Sequence, residues 1–234
     1  MLTLSTPGRR MTGMARSQSP ARKPRRSYHH GNLRRALLDE ALATIRAEGV
    51  EGLTLREIGA RLGVSRTALY RHFADKAALL EAVATEGFRT LREQLVAAWE
   101  AGGRGPAGFA AMGVAYVHFA AANSSHYRVM FGGFVDHETR QPDLATEGEG
   151  AFQALVDALT ELQRDGLVRS DDSVTMARFV WAVVHGVAML WIDGQLRDAD
   201  GGLDTLARYA IERLSLGIWA GDDRRAPAGQ QSRG

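Results

Sequence analysis

The 234-residue sequence contains no cysteine. That excludes a disulfide framework and any thiolate metal site, and it is compatible with a reducing cytoplasm. Acidic residues are missing from the first 38 positions; Asp39 is the first. The same stretch holds Arg9, Arg10, Arg16, Arg22, Lys23, Arg25, Arg26, Arg34 and Arg35. A basic end on a chain of net charge +2 points to a polyanionic partner at that end. The longest apolar run, Phe179 to Ile192, is too short to span a bilayer and contains His185, so no membrane segment is expected. The Arg-rich start is not followed by an apolar stretch, which argues against a signal peptide. There is no alternating strand pattern and no internal repeat. A Gly-rich phosphate loop, a metal triad and a Ser/His/Asp arrangement at supportive spacing are all missing. The expectation is a soluble cytoplasmic all-α protein with no catalytic site, no metal and no cofactor.

What is present is helical periodicity. Residues 1–27 are rich in Ser, Pro, Gly and Arg and read as a disordered basic arm. Met11 and Met14 leave open whether translation starts at Met1. From Asn32 to Glu48, Leu33, Leu37, Leu38, Ala41, Leu42 and Ile45 form one stripe, ended by Gly49. His29 and His30 lack companions at ligand spacing, so no metal site is assigned to them. Asp75 to Glu100 predicts a long helix with Leu79, Leu80, Val83, Phe88, Leu91, Leu95 and Trp99 inside. Ala101 to Pro106 breaks it. Further helices are expected over 109–122, 126–131, 151–164, 173–196 and 203–219. The polar stretch Asp136 to Gly150 reads as a loop, and residues 221–234 as a disordered tail.

The stretch from Leu55 to Phe73 has a more specific pattern. Leu55, Ile58 and Leu62 give a short helix that Thr54 caps. Gly63 stands where the chain must turn left-handed. Ser65 stands at the next N-cap. A second helix is expected over Arg66–Phe73, with Ala68, Leu69 and Phe73 inside and Arg66, Thr67, Tyr70, Arg71 and His72 outside. That outer face carries no acid and many hydrogen-bond donors, which suits a helix in a DNA major groove.

With its flanks, the segment from Tyr28 to Phe88 resembles the DNA-binding domain of the TetR family of bacterial transcriptional regulators. Ala41, Gly49, Thr54, Ile58, Ala60, Gly63, Val64, Ser65, Leu69, Tyr70, His72, Phe73, Lys76 and Leu79 carry the likeness. It implies a three-helix helix-turn-helix domain over 28–76. A helical ligand-binding and dimerisation domain follows over 77–220, whose first helix, 77–100, links the two. It also implies DNA contacts from Thr54, Ser65, Arg66, Thr67, Tyr70, Arg71, His72 and Lys76. Arg66 and Thr67 are the candidates for base edges; Thr54, His72 and Lys76 are the candidates for phosphates.

In the second half, HYRVMFG at residues 126–132 and WAVVHG at 181–186 resemble the TetR C-terminal domain named for its Trp-His-Gly signature. That likeness implies a homodimer through the last two helices and a palindromic operator in double-stranded DNA. A cavity for a small hydrophobic or aromatic effector is expected among Tyr116, Phe119, Tyr127, Met130, Phe131, Phe152, Trp181, His185 and Met189, with Phe134 and Trp191 near them. Trp181 and His185 lie on one helical face. They read either as ligand contacts or, the favoured reading, as core packing with the histidine bonded to a backbone or hydroxyl group. Asp193 near Trp191 and Asp157 near His185 are further possible pairs. The leading function is a repressor released from its operator by that effector. The alternatives are a ligand-independent regulator or activator, and a nonspecific DNA binder using the basic arm.

Overall fold

The computed structural model describes residues 33–136, 140–197 and 200–219. The basic arm, His29, His30 and the tail from residue 221 lie outside the described residues. Within them the chain forms nine α-helices and no strand beyond one isolated bridge, Val168 to Trp219.

Of the first three helices, the second and third are short and capped by their own sequence. α1, Leu33–Glu48, buries Leu37, Leu38, Ala41 and Ile45 on one stripe. α2, Leu55–Leu62, starts at Thr54, whose hydroxyl accepts from the Glu57 amide and donates to the Glu57 carboxylate at 2.8 Å. This is a reciprocal capping arrangement on one turn. Gly63 ends α2 at φ 66°, where a side chain would be strained. Ser65 then caps α3, accepting from the Ala68 amide. α3 is Arg66–Tyr70 only, shorter than the helix expected to reach Phe73. The chain turns at Arg71 and His72, and this turn swings Phe73 into the core, where it is buried.

α4, Lys76–Ala101, opens on Asp75, which accepts from the Ala78 amide at 2.8 Å. Its 26 residues make a rod of about 39 Å at ~1.5 Å per residue. Leu79, Leu80 and Val83 are buried in its first two turns, and Leu91, Leu95 and Trp99 further along. The Arg35 guanidinium of α1 reaches both carboxylate oxygens of Glu86 on α4 at 2.8 Å.

The remaining helices gather around α4. α5 is Pro106–Ala122, α6 Ser124–Phe131, α7 Pro142–Arg164, α8 Ser173–Ile192 and α9 Gly202–Ile218. α4 packs on α5, α6 and α7; α5 also packs on α8 and α9. Two glycines allow close packing on α4. A Cβ at Gly87 would run into Met130 Sδ, and one at Gly108 would sit 2.6 Å from the Trp99 carbonyl oxygen.

Two expectations are corrected here. The polar stretch 136–150 is not a loop throughout, because α7 already begins at Pro142. Proline is tolerated at the first helical position, where its missing N–H costs nothing. Leu144 is buried, and Glu147 is held against α4 by Arg89 at 2.8 Å and Arg92 at 2.9 Å. Tertiary contacts thus carry the helix through a polar sequence. The second correction concerns α8, which starts at Ser173 on an Asp172 cap and reaches only Ile192. By length and composition alone its 20 residues would suffice to cross a membrane, contrary to the reading of a shorter run. Core helices pass the same test, and Met176, Ala177, Val180, Val184 and Ala188 pack one side of α8 into this body.

Candidate nucleic-acid interface and ligand cavity

The reading element is built from α2, the Gly63–Val64 turn and α3. Ile58 and Leu69 are buried between the helices, and Leu69 Cδ1 would lie 2.8 Å from a Cβ at Gly59. That close seat leaves Arg66, Thr67, Tyr70, Arg71 and His72 exposed on the outside. The Arg66 guanidinium sits over the Tyr70 ring, 5.9 Å from its centre, so the two share one helical face. Among the described residues no acid pairs with Arg66 or Arg71, whereas Arg61 on α2 is tied to Glu48 at 2.6 Å. The outward face of α3 is therefore cationic and free of acids, while on α2 the charge of Arg61 is paired.

Three of the expected DNA-contact residues have structural work already. The Thr54 and Ser65 hydroxyls cap their helices. Lys76 Nζ donates to the Val50 carbonyl at 2.7 Å and lies 3.4 Å from that of Glu51, tying α4 back to the α1–α2 loop. An ammonium has three donors, so one remains beyond these carbonyls.

The second site is a cavity of about 770 Å³ in the helical body. Its walls come from α4 (Phe88, Leu91, Leu95), α5 (Phe109, Met112, Tyr116), α6 (Met130, Phe131), α7 (Phe152, Leu155), α8 (Trp181, Val184, His185) and α9 (Ile211). Of the residues expected to line it, Tyr116, Met130, Phe131, Phe152, Trp181 and His185 do so. Phe119, Tyr127 and Met189 do not, nor do Phe134 and Trp191. Phe119 and Tyr127 are fully buried in packed protein, and Met189 lies a helical turn past His185. The expected lining lacks the walls of α4 and α9, and Phe109, Met112, Leu155 and Val184 besides. Residues 88, 91 and 95 read simply as core in the sequence, because a cavity-facing stripe and a packed stripe have the same period.

A polar cluster is set into this apolar wall. Trp181 Nε1–H donates to the Tyr116 hydroxyl at 2.9 Å. Tyr116 and Tyr127 hydroxyls are 2.9 Å apart, and His185 Nδ1 lies 2.7 Å from the Tyr127 hydroxyl and 3.2 Å from that of Tyr116. The favoured sequence reading gives His185 a backbone or hydroxyl partner; in the structure two hydroxyls flank it, and the ring also lies at the cavity. Burial pushes the Tyr116 hydroxyl up to about 12 and the Tyr127 hydroxyl further up, and it lowers His185 from its ordinary value. All three groups are thus neutral near pH 7. The pairs suggested with Asp157 and Asp193 do not form: Asp157 accepts from Gln153 and Asp193 pairs with Arg128. Among the described residues no group of three or more His, Asp or Glu side chains is placed to hold a metal.

A short capped helix-turn-helix carrying a free cationic face, set on a larger all-helical body, defines a DNA-binding regulator. Comparison with known proteins agrees. Residues 37–83 match the family described as "Bacterial regulatory proteins, tetR family", and residues 109–214 match "Tetracyclin repressor-like, C-terminal domain". The chain belongs to the TetR family of DNA-binding transcriptional regulators. The second description does not carry the Trp-His-Gly subtype expected from residues 126–132 and 181–186. The chain is 49% identical over 51 residues to the tetracycline repressor protein class C of Escherichia coli, a match covering 22% of this chain and 23% of that repressor. Likeness to the curated repressors thus spans about a quarter of their length. A solved structure of a protein of unknown function from Rhodococcus sp. RHA1 is similar over its full length and 83% of this chain, at 34% identity and a TM-score of 0.74. SmeT, the repressor of the Stenotrophomonas maltophilia multidrug efflux pump SmeDEF, shares the fold at 22% identity and a TM-score of 0.59, covering 84% of this chain and 94% of SmeT.

Proposed function

We propose that the protein is a homodimeric repressor that leaves a palindromic operator when a small hydrophobic or aromatic effector enters the cavity. One observation carries this reading. α4 supplies Phe88, Leu91 and Leu95 to the cavity wall, and its own first turn follows directly on the reading helix and its turn. An occupant that shifts α4 therefore shifts α3. Glu86, two residues before Phe88, also holds Arg35 of α1. The effector must bind the two arrangements with different affinity to change the DNA-bound fraction. SmeT has been solved in complex with triclosan, an occupant of the chemistry this cavity suits.

The dimer is inferred from α8 and α9. They bury one side in the body and leave Phe179, Leu190, Tyr209 and Leu216 outward, the last two 60% and 66% exposed. Large apolar side chains left outward on two packed helices suit a protein interface. Two-fold pairing suits half-sites about 34–36 Å apart. Arg66, Thr67 and Tyr70 read base edges, with Arg71, His72 and Lys76 at phosphates, and with Thr54 and Ser65 presenting their helix starts. A DNA partner supports a cytoplasmic location.

Binding of the purified protein to DNA from upstream of its own gene, with scrambled DNA as competitor, tests the reading. A competitor-resistant shift at one palindrome is expected. Binding that scrambled DNA abolishes would favour nonspecific attraction by basic residues. In the same assay Tyr70→Ala should lose about 1–3 kcal/mol of operator affinity, as for a lost specific contact. Its thermal stability should be unchanged, because the ring is exposed. Full affinity would remove Tyr70 from the interface.

A further inference from the structure

We infer that the cavity selects an uncharged effector bearing a hydrogen-bond acceptor oxygen, read by the Nε2–H of His185. This rests on the cavity being the effector site.

The argument is a count of hydrogens in the Trp181–Tyr116–Tyr127–His185 cluster. The indole N–H only donates, so Tyr116 oxygen accepts from Trp181. Suppose first that Nδ1 carries the imidazole proton. The indole hydrogen, the Nδ1 hydrogen and two hydroxyl hydrogens must then share two acceptor oxygens. The tyrosines can donate to each other in one direction only. One hydroxyl hydrogen is left with no acceptor in a buried cluster, which forfeits its solvation without return. Suppose instead that Nδ1 is bare. Trp181 donates to Tyr116, Tyr116 to Tyr127, and Tyr127 to Nδ1 across 2.7 Å. Every hydrogen inside the cluster now has an acceptor, and the one left over, on Nε2, lies at the cavity wall instead of within the buried cluster. The proton therefore sits on Nε2.

That Nε2–H has no hydrogen-bond partner among the described residues, and His185 lines the cavity. It is the open end of a chain of donors whose direction is set by Trp181. Phe131 packs edge-on against the imidazole at 4.9 Å and Trp181 at 5.7 Å, fixing the ring's plane. The occupant's partner atom must be an acceptor. A cation is disfavoured beside this donor. A buried anion would need a protonated imidazole, which burial opposes. Of the charged residues around the cavity, Glu149 and Arg178 are exposed, and Arg140 is tied to Glu149 at 3.1 Å. No charge lies inside to balance one on the ligand.

Two measurements on the full chain test the inference. The first needs no ligand. With 15N-labelled histidine, the His185 imidazole, assigned by its loss in His185→Phe, should show a bare Nδ1 and a protonated Nε2. Tyr127→Phe should erode that preference. The reverse pattern in the unsubstituted protein would overturn the inference. The second measurement uses benzophenone and diphenylmethane, which share two rings and differ in the bridging carbonyl, with binding read by tryptophan fluorescence. Benzophenone should bind about tenfold tighter, the worth of one net hydrogen bond. The ratio should fall towards one in His185→Phe while diphenylmethane binding persists; should that variant fail to fold, Tyr127→Phe should still reduce the ratio. Equal binding of both probes by the unsubstituted protein, or a ratio that survives both substitutions, overturns the acceptor and leaves the apolar effector cavity standing. No binding of either probe overturns the cavity reading and this inference together.

Discussion

The DNA-reading end and the helical body of this protein are both all-α, yet they are specified differently. At the reading end, helix starts are written in single residues. Thr54, Ser65 and Asp75 each accept the amide three positions on, and Gly63 supplies the one left-handed turn between α2 and α3. In the body, α5, α6, α7 and α9 start without any side-chain cap hydrogen bond. Those helices rest on packing, with close approaches such as Gly108 on Trp99, and on ion pairs across helices, such as Glu147 with Arg89 and Arg92. A helix as short as α3 has little propensity to form alone, so local signals and one buried leucine must hold it. Longer helices with wide apolar faces can leave their ends to the neighbours. This contrast fits the division of labour proposed above: a precisely shaped reader on a body that must accommodate an occupant.

The comparison can be broken in four places. Leu69→Ala should have the largest effect, about 2–5 kcal/mol in urea unfolding, because it empties the one buried side chain of α3. A loss below ~1 kcal/mol would mean that caps rather than burial hold the reader. Gly108→Ala should cost about 1–3 kcal/mol, since its Cβ would meet the Trp99 carbonyl, a backbone atom that cannot swing aside. A neutral result would show the α4–α5 corner to be pliable. Asp75→Ala should cost about 1 kcal/mol by freeing the Ala78 amide, read as a lowered Tm. Stability equal to the unsubstituted protein would place α4, from its first turn, with the packing-held helices of the body.

The smallest effect concerns acid. The Arg89 hydrogen bond first, and Arg92 beside it, hold the Glu147 carboxyl below the usual carboxylate range. Its contribution is therefore complete above the ordinary value of about 4.3 and is lost as pH falls through the lower folded-state value. Glu147→Gln should flatten that part of the stability–pH curve and leave its neutral-to-basic limb parallel to that of the unsubstituted protein. An unaltered acid limb would mean that the pairs with Arg89 and Arg92 contribute nothing to docking α7 on α4.

Much of this molecule is legible one residue at a time. The stripe on α1, the caps at Thr54, Ser65 and Asp75, the turn at Gly63 and the outward set Arg66, Thr67, Tyr70, Arg71 and His72 all follow from periodicity and capping chemistry, because the interactions that decide them lie within four residues. Local pattern fails where distant partners intervene. Phe73 leaves α3 because the core takes its ring. Residues 142–150 become helix because Arg89 and Arg92, more than fifty positions earlier, meet Glu147. Lys76, expected at a phosphate, spends hydrogen-bonding capacity on Val50.

The sequence by itself determined the helical class, the reading element and the family likeness, since each is encoded in short-range spacing. Only the tertiary structure decided which aromatic side chains surround a cavity and which are simply buried. Phe119, Tyr127 and Met189 have the same character as Phe131 and Phe152, but whether a ring faces a void depends on how six helices meet around it. The direction of the donor chain ending at His185 is of the same kind. Residues 116, 127, 181 and 185 become one hydrogen-bonded unit only when α5, α6 and α8 are brought together.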